Sequence, residues 1–200
     1  GVCFVFSGAT GLIYEVLWAR MLGLVFGATT LAVSTVLAAF MGGLALGSAL
    51  AGRLAHRIRK PLSIYGWLEI GIAIYALLVP FVFRWVDNLY ALIWQHFQPG
   101  FFAFSIWRFL LSCLMLLLPT TLMGATLPVL SAALVRHGST AVTRLYACNL
   151  VGAILGTLAA GFVLLPSFGV RTTIIIAAAI NLIIGVVAIR SQRQPIEQAS

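Results

Sequence analysis

The feature that most constrains this chain is its series of uninterrupted apolar runs, each about 20 residues or longer. Only 8% of the 200 residues are charged, whereas a soluble domain carries about 25%. The apolar side chains must therefore face lipid or one another. Backbone groups in lipid need internal hydrogen bonds, and these runs lack the strict alternation of barrel strands. The sequence predicts an all-α polytopic membrane protein, with the lipid bilayer as its first partner.

Hydropathy predicts a single transmembrane domain over residues 1–200 with six helices. The expected helices cover about 2–26, 29–52, 62–83, 102–135, 141–166 and 171–190, each long enough to cross a core of about 30 Å. In the fourth helix, Pro119 and Pro128 are expected to kink the helix or to divide off a cytoplasmic extension. The amphipathic aromatic residues within Arg84–Gly100 predict a short interfacial helix at the headgroup level.

Basic residues predict the orientation of these helices. One set of loops contains Arg53, Arg57, Arg59, Lys60, Arg136, Arg144, Arg190 and Arg193. The opposite set contains Arg84 and Arg171. Short loops rich in arginine and lysine stay in the cytoplasm, so both termini are expected there, in a bacterial-type inner membrane. The net charge of +8 is then a determinant of topology, and no nucleic-acid partner is expected.

Pairs of glycines one turn apart predict where helices meet closely. Gly43 and Gly47 share a face of the second helix, and Gly152 and Gly156 share a face of the fifth. Small residues at this spacing let backbones approach, although glycine is also simply common in membrane helices. The second helix is the middle one of the first three predicted helices, and the fifth is the middle one of the last three. This match predicts a three-plus-three repeat, as transporters often use.

Four ionisable side chains fall inside the predicted spans, where each costs about 2.5–3.5 kcal/mol on insertion scales. They are Glu15, Arg20, Glu69 and Arg108. We expect Glu15 to pair with Arg108 of the fourth helix or with Arg20 of its own helix. Such a pair either fastens the bundle or belongs to a site for a cation or a proton. Sequence alone leaves both the partner and the role open.

Other polar residues in the apolar runs are candidates for contacts between helices. Glu69 has no partner in its own helix, and is either a protonated or snorkelling carboxyl near the inner interface or a member of a site. Asn149 with Tyr146, and Asn181, are expected to hydrogen-bond between helices. Neither the cysteines nor the histidines have metal-like spacing, and no catalytic triad is discernible. No metal or cofactor is expected.

Polar residues at fixed places inside the helices also resemble a known family over residues 4–190. The matching segments are Ser7-Gly8, Leu12–Arg20, Ser34–Met41, Gly43–Ser48, Pro119–Pro128 and Arg144–Asn149. They resemble the membrane domain of the spermidine-synthase-like transmembrane proteins, described as fusions of a facilitator with a spermidine synthase. The resemblance implies a soluble aminopropyltransferase-like domain after the helices. These 200 residues contain one aspartate, Asp87, and no Gly-rich loop after a strand, so this chain itself is not expected to be an enzyme.

A weaker resemblance concerns the loop from Gly52 to Pro61. It is similar to the signature loop of the major facilitator superfamily, and the six helices then resemble half of a major facilitator. His56 stands where that family has an aspartate, and Arg59 or its neighbour replaces the second glycine. The carboxylate that would lock the inward gate is therefore missing.

Three functions follow from these observations and stay open. The first is a non-catalytic membrane domain that anchors, transports for or assembles with a catalytic or redox partner. The second is a small transporter or half-transporter for a cationic or other small solute, and the third is a scaffold or accessory subunit of a larger membrane complex. The expected partners are other membrane subunits or a second copy. The sequence does not identify a small-molecule substrate.

Overall fold

The computed structural model describes residues 2–26, 30–97, 101–134 and 139–197, and these ranges are almost entirely helical, without a strand. The helices are α1 (Val2–Phe26), α2 (Thr30–Leu54), α3 (Pro61–Phe97), α4 (Phe101–Leu134), α5 (Ser139–Ala159) and α6 (Leu165–Glu197). A 3₁₀ turn, Ala55–Arg57, follows α2, and a π-helical turn, Ala160–Leu164, joins α5 to α6. The predicted all-helical fold class is confirmed.

Five described stretches are long and apolar enough to cross a membrane, and this number corrects the prediction of six separate spans. They are Val2–Gly23, Val33–Arg57, Pro61–Phe83, Cys113–Leu134 and Thr140–Gln192. The last is 53 residues long and combines the fifth and sixth predicted helices, because no polar loop separates them. Large apolar side chains lie exposed along the helices, including Leu114, Phe162 and Ile183. Such a surface is compatible with a multi-pass membrane protein.

A kink divides α6 near its start. Gly169 has a φ of 71°, in the left-handed region, and the helical backbone continues on both sides of it. Glycine adopts this conformation readily because it has no Cβ. The break predicted between residues 166 and 171 is thus a kink at one residue and not a loop.

The end of α3 also differs from the prediction, and α4 is one helix through both of its prolines. The separate interfacial helix predicted within Arg84–Gly100 is wrong, because α3 continues as one helix to Phe97. Pro119 and Pro128 both lie inside α4 without dividing it. Pro119 cannot donate to the carbonyl of Met115 one turn earlier. The Tyr75 hydroxyl of α3 donates to that carbonyl instead, at 2.7 Å, as neighbouring helices do for proline in membranes.

Three long pairwise contacts organise the bundle: α1 packs along α5, α2 along α4, and α3 along α6. In addition, α3 contacts α4 and α6 contacts α1. The α3–α6 contact brings two backbones together at Gly66 and Gly185. A Cβ on Gly66 would lie 2.6 Å from the Gly185 carbonyl oxygen, and a Cβ on Gly185 would lie 2.7 Å from that of Gly66. Neither position has room for a side chain.

Glycines make the other two long contacts equally close. A Cβ on Gly47 would lie 1.9 Å from the Thr121 carbonyl oxygen of α4, and one on Gly152 would lie 1.8 Å from the Val5 carbonyl oxygen of α1. At the same interfaces, Gly43 lies against Thr120 and Gly156 against Ala9. Both helix pairs therefore approach backbone to backbone, the arrangement by which small residues stabilise helix pairs in lipid.

The α1–α5 and α2–α4 contacts also match in detail. A Cβ on Gly8 of α1 would lie 2.2 Å from the Asn149 carbonyl oxygen of α5. A Cβ on Gly124 of α4 would lie 2.2 Å from the Leu44 carbonyl oxygen of α2. Both glycines begin the tripeptide Gly-Ala-Thr, at residues 8–10 and 124–126, and the same tripeptide also stands at residues 27–29. Two separate parts of the chain thus use one local sequence for one type of contact.

Candidate functional site

A polar cluster lies where α1, α3 and α6 meet. The Glu69 carboxyl of α3 is fully buried. Its Oε1 accepts a hydrogen bond of 2.5 Å from the Ser7 hydroxyl of α1, and its Oε2 accepts one of 2.9 Å from the Asn181 amide of α6. No described arginine or lysine forms an ion pair with Glu69. The cluster links three helices through one carboxyl group.

The helical period of α3 directs Glu69 into the bundle. Tyr65 and Ile72, on the same face of the helix one turn away on either side, are both buried, whereas Trp67 is 64% exposed. Glu69 lies about 12 Å along the helix from Pro61, at about 1.5 Å per residue. The carboxyl is held inside the protein and does not snorkel to an interface.

Two buried polar atoms at the cluster have no hydrogen-bond partner. They are the amide oxygen of Asn181, whose nitrogen donates to Glu69, and the hydroxyl of Tyr65. Leaving such an atom unpaired costs about 1–3 kcal/mol. Tyr14 and Trp18, which stack in α1 with ring centroids 5.5 Å apart, also have unpaired buried polar atoms. The Asn181 oxygen differs from the other three atoms because its residue also lines a cavity.

This cavity has a volume of about 250 Å³ and is lined by Ser7 and Asn181 of the cluster. It lies between α1 and α4, and residues of α2 and α5 extend its walls. The α1–α5 side contributes the polar side chains of Ser7, Tyr146 and Asn149, along with apolar ones. The α2–α4 side contributes mainly apolar side chains: Phe40, Leu44, Met123 and Leu127, with Ser48 and Thr126. We call the α1–α5 side, with Ser7, Tyr146 and the amide of Asn149, the polar wall. The α2–α4 side is called the apolar wall because its large side chains are apolar, and it also carries the hydroxyls of Ser48 and Thr126.

Asn149 and Tyr146 lie on the polar wall in different environments. The Asn149 amide donates to the Phe4 carbonyl of α1 at 3.4 Å, so Asn149 forms a hydrogen bond between helices. Its amide oxygen remains available as an acceptor. Tyr146 is 54% exposed and lies toward the edge of the cavity lining.

The other predicted ionisable residues lie away from the cavity. Glu15 is buried in α1, but it does not line the cavity and has no hydrogen bond or ion pair with a described side chain. Arg20 is exposed and does not pair with Glu15. The side chain of Arg108 lies outside the described residues, so the pairing of Glu15 with Arg108 stays a prediction.

A second cavity, of about 460 Å³, is lined by Met21, Leu77, Pro80, Phe81, Val170, Arg171, Ile174 and Ile175. Its lining is apolar apart from Arg171 and contains no carboxyl group. The smaller cavity, which adjoins a buried carboxyl and an unpaired acceptor, is therefore the stronger candidate for a functional site.

Sequence reasoning identified Glu69 and predicted a hydrogen bond between helices for Asn181, which is confirmed, but it did not pair the two residues or identify Ser7 as a partner. Ser7 and Asn181 lie 62 and 112 residues from Glu69 along the chain, on different helices. Ser7 stands in a segment that resembles the spermidine-synthase-like family, and Asn181 is a polar residue inside an apolar run. These signals mark both residues as unusual, but only the packing of α1, α3 and α6 brings them together.

Comparison with known proteins gives one distant relative. The chain is 26% identical over 192 residues to polyamine aminopropyltransferase 1 of Streptomyces coelicolor. The similarity covers 90% of this chain but only 32% of the relative, so the chain spans about a third of the protein it matches. No family model and no solved structure matches the chain. The similarity indicates a distant spermidine-synthase-like relationship.

Proposed function

We propose that this chain is the membrane domain of a polyamine-synthase-like protein and that it binds a small cationic solute between its helices. The similarity to the aminopropyltransferase supports the first part, because it extends over 90% of the chain. The observation that carries the second part is Glu69, a buried carboxyl with no described cationic partner, beside a cavity. Ionisable groups inside membranes usually pair or mark a solute pathway.

The proposal includes six spans in two related units of three helices. A straight helix of 53 residues would be about 80 Å long, against a hydrocarbon core of about 30 Å. We infer that the stretch Thr140–Gln192 crosses the membrane twice and reverses at Gly169. The three-plus-three repeat, and with it the likeness to half of a major facilitator, is supported by the contacts.

Exchanging α1 with α4, α2 with α5 and α3 with α6 converts the main contacts into one another. The α1–α5 contact becomes the α4–α2 contact, and the α3–α4 contact becomes the α6–α1 contact. The exchange converts the α3–α6 contact into the same contact, so its two halves should match. Gly66 faces Ile189, one turn after Gly185. In the same way, Gly185 faces Ile70, one turn after Gly66. A two-fold relation between the units would produce this reciprocity.

We propose that the helices do not transfer aminopropyl groups themselves and that they anchor a catalytic partner. One carboxyl group, Glu69, is hydrogen-bonded to residues of the cavity lining, and the described lining contains no histidine, cysteine or carboxyl group of its own. A purely lipid-facing scaffold subunit would serve the same anchoring role without a solute. Binding of a cation therefore separates these two functions.

The orientation is tested by labelling single cysteines in intact cells, in a background without Cys3, Cys113 and Cys148. We expect Arg57→Cys to be protected from an impermeant thiol reagent, because its loop belongs to the basic, cytoplasmic set. Asp87→Cys should be labelled. Labelling of Arg57→Cys from outside would contradict an orientation with both termini in the cytoplasm.

Solute binding is tested with radiolabelled methylammonium on the protein in lipid nanodiscs. We expect saturable binding that falls at least tenfold in Glu69→Gln, because the amide has no charge to pair with the cation. Glu15→Gln is the matched control, since Glu15 is also buried but, unlike Glu69, has no hydrogen bond to a described residue of the cavity lining. Absence of binding, or equal loss in both variants, would contradict the proposed function.

A further inference from the structure

We infer that the solute is a linear primary alkylamine, with its ammonium group at Ser7, Glu69 and Asn181 and its chain against Met123 and Leu127. This inference rests on the proposed cation-binding function and adds the class of ligand and its orientation. It is carried by the unpaired Asn181 oxygen and by the two unlike walls of the cavity.

The polar end of the cavity offers acceptors. Asn181 is 2% exposed and lines the cavity, and its amide oxygen has no donor. Glu69 does not itself line the cavity, but its carboxyl accepts hydrogen bonds from two lining residues, Ser7 and Asn181. The Ser7 hydroxyl, which donates to Glu69, retains its lone pairs. A primary ammonium has three N–H donors and no acceptor, so it matches a set of acceptors that includes one negative charge.

Other cations fit this set less well. A quaternary ammonium has no N–H group and would leave the Asn181 oxygen unpaired. Divalent metal ions such as Ca²⁺ take about six to eight oxygen ligands. The described cluster has one carboxyl, one amide oxygen and the two hydroxyls of Ser7 and Tyr65. The number and type of oxygens therefore favour an N–H donor.

The apolar wall determines which chemical groups the rest of the solute, beyond its ammonium group, can have. Phe40 of α2 and Met123 and Leu127 of α4 face the cavity opposite the polar wall. A second ammonium placed there would lose its hydration without gaining a described carboxylate, whereas methylene groups would be favourably buried. An apolar cavity of about 150 Å³ accommodates benzene in another protein, so one of about 250 Å³ accommodates a chain of about five carbons.

A competition series against labelled methylammonium in nanodiscs tests the inference. We expect affinity to rise about fourfold for each methylene from methylammonium to n-pentylammonium, the factor that burial of one CH₂ predicts. The same nanodiscs carrying Glu69→Gln correct for partition of the amines into lipid. Tetramethylammonium and 1-pentanol should compete at least tenfold more weakly than n-pentylammonium, since neither has a charged N–H donor.

Three outcomes would overturn this assignment while leaving cation binding intact. They are affinity independent of chain length, strong competition by tetramethylammonium, and tighter binding of 1,5-diaminopentane than of n-pentylammonium. If methylammonium itself does not bind, the proposed function fails instead, so the two failures are distinguishable.

A variant of the apolar wall provides the second measurement. Leu127 is only partly buried, so Leu127→Ala is expected to fold. It should reduce the gain in affinity per methylene, relative to the original protein, in the same competition series. An unchanged dependence on chain length would show that the alkyl chain does not lie along α4.

Discussion

The α1–α5 and α2–α4 sides of the bundle pack alike but differ in polarity. Gly8 and Gly124 make equivalent backbone contacts on the two sides. Next to them, however, α1 has Ser7 where α4 has Met123, and the contacted residue is Asn149 in α5 but Leu44 in α2. Small residues common to both sides determine how the helices meet. Polar groups are placed on one side without changing that packing.

The difference extends to α3 and α6. In the α3–α6 contact, Glu69 lies three residues after Gly66, and Ala188 lies three residues after Gly185. Glu69 and Ala188 therefore hold corresponding positions in the two helices. Both positions are buried, but one contains a carboxyl and the other a methyl group. The polar cluster is therefore one-sided within a nearly reciprocal framework. Few substitutions are needed to create such a polar cluster, because the packing of the helices already buries these positions.

The largest predicted effect tests whether the two sides pack equivalently. Gly47→Leu and Gly152→Leu should each destabilise the protein by about 3 kcal/mol or more, because the new side chain would overlap a backbone carbonyl that cannot move aside. Thermal unfolding in detergent measures the loss. Gly42→Leu is the matched control, since a Cβ there meets nothing within 4 Å. Strong destabilisation by only one of the two substitutions would show that the α1–α5 and α2–α4 contacts are not equivalent.

A smaller effect is predicted where the third helix of each set begins. The helix α3 begins at Pro61, after a short polar segment, whereas α6 is kinked at Gly169, with its φ of 71°. Gly169→Ala should destabilise the protein by about 1–3 kcal/mol, because a φ of 71° with a ψ of 176° is a conformation that residues with a Cβ rarely adopt. Open space around Gly169 excludes a steric cause. Gly52→Ala, also in open space but without a positive φ, should show no such loss in the same unfolding assay.

The smallest predicted effect concerns the polar side alone. Ser7→Ala should destabilise the protein by about 1 kcal/mol, because hydrogen bonds between membrane helices contribute about 0.6 kcal/mol on average and at most about 1.7. Thr157→Ala is the control, since that hydroxyl is exposed and bonds only within its own helix. Equal stability of Ser7→Ala and the original protein would show that the Ser7–Glu69 hydrogen bond does not contribute to folding.

Much of the helical framework could be predicted from the sequence, because the length of an apolar run determines a helix directly. The first prediction, 2–26, coincides with α1, and 102–135 differs from α4 by one residue at each end. The end of α3 was missed because aromatic residues were interpreted as a boundary. The segment from Arg84 to Phe97 contains neither glycine nor proline, so nothing in it interrupts helical hydrogen bonding.

The site was predictable only in part. Glu69 was identifiable because a carboxyl inside an apolar run is costly and needs a physical reason. Its partners depend on how helices far apart in the chain pack, which apolar periodicity does not encode. Gly-Ala-Thr occurs at 8–10, 27–29 and 124–126, so the tripeptide alone does not identify corresponding positions. The backbone contacts of Gly8 and Gly124 select the first and the last, and aligning these two places Ser7 opposite Met123.

The kink at Gly169 also has a consequence for biosynthesis. Between Arg144 and Arg190, Arg171 is the only charged residue, so the chain leaves the ribosome as one long apolar segment. In the proposed six-span arrangement, no polar loop separates the last two transmembrane helices, so the insertion machinery has no polar segment by which to distinguish them. The two helices would enter the bilayer together as a hairpin, carrying a single charge across. The conformation of one glycine would then determine whether the nascent chain turns back, and so the side of the membrane on which its end emerges.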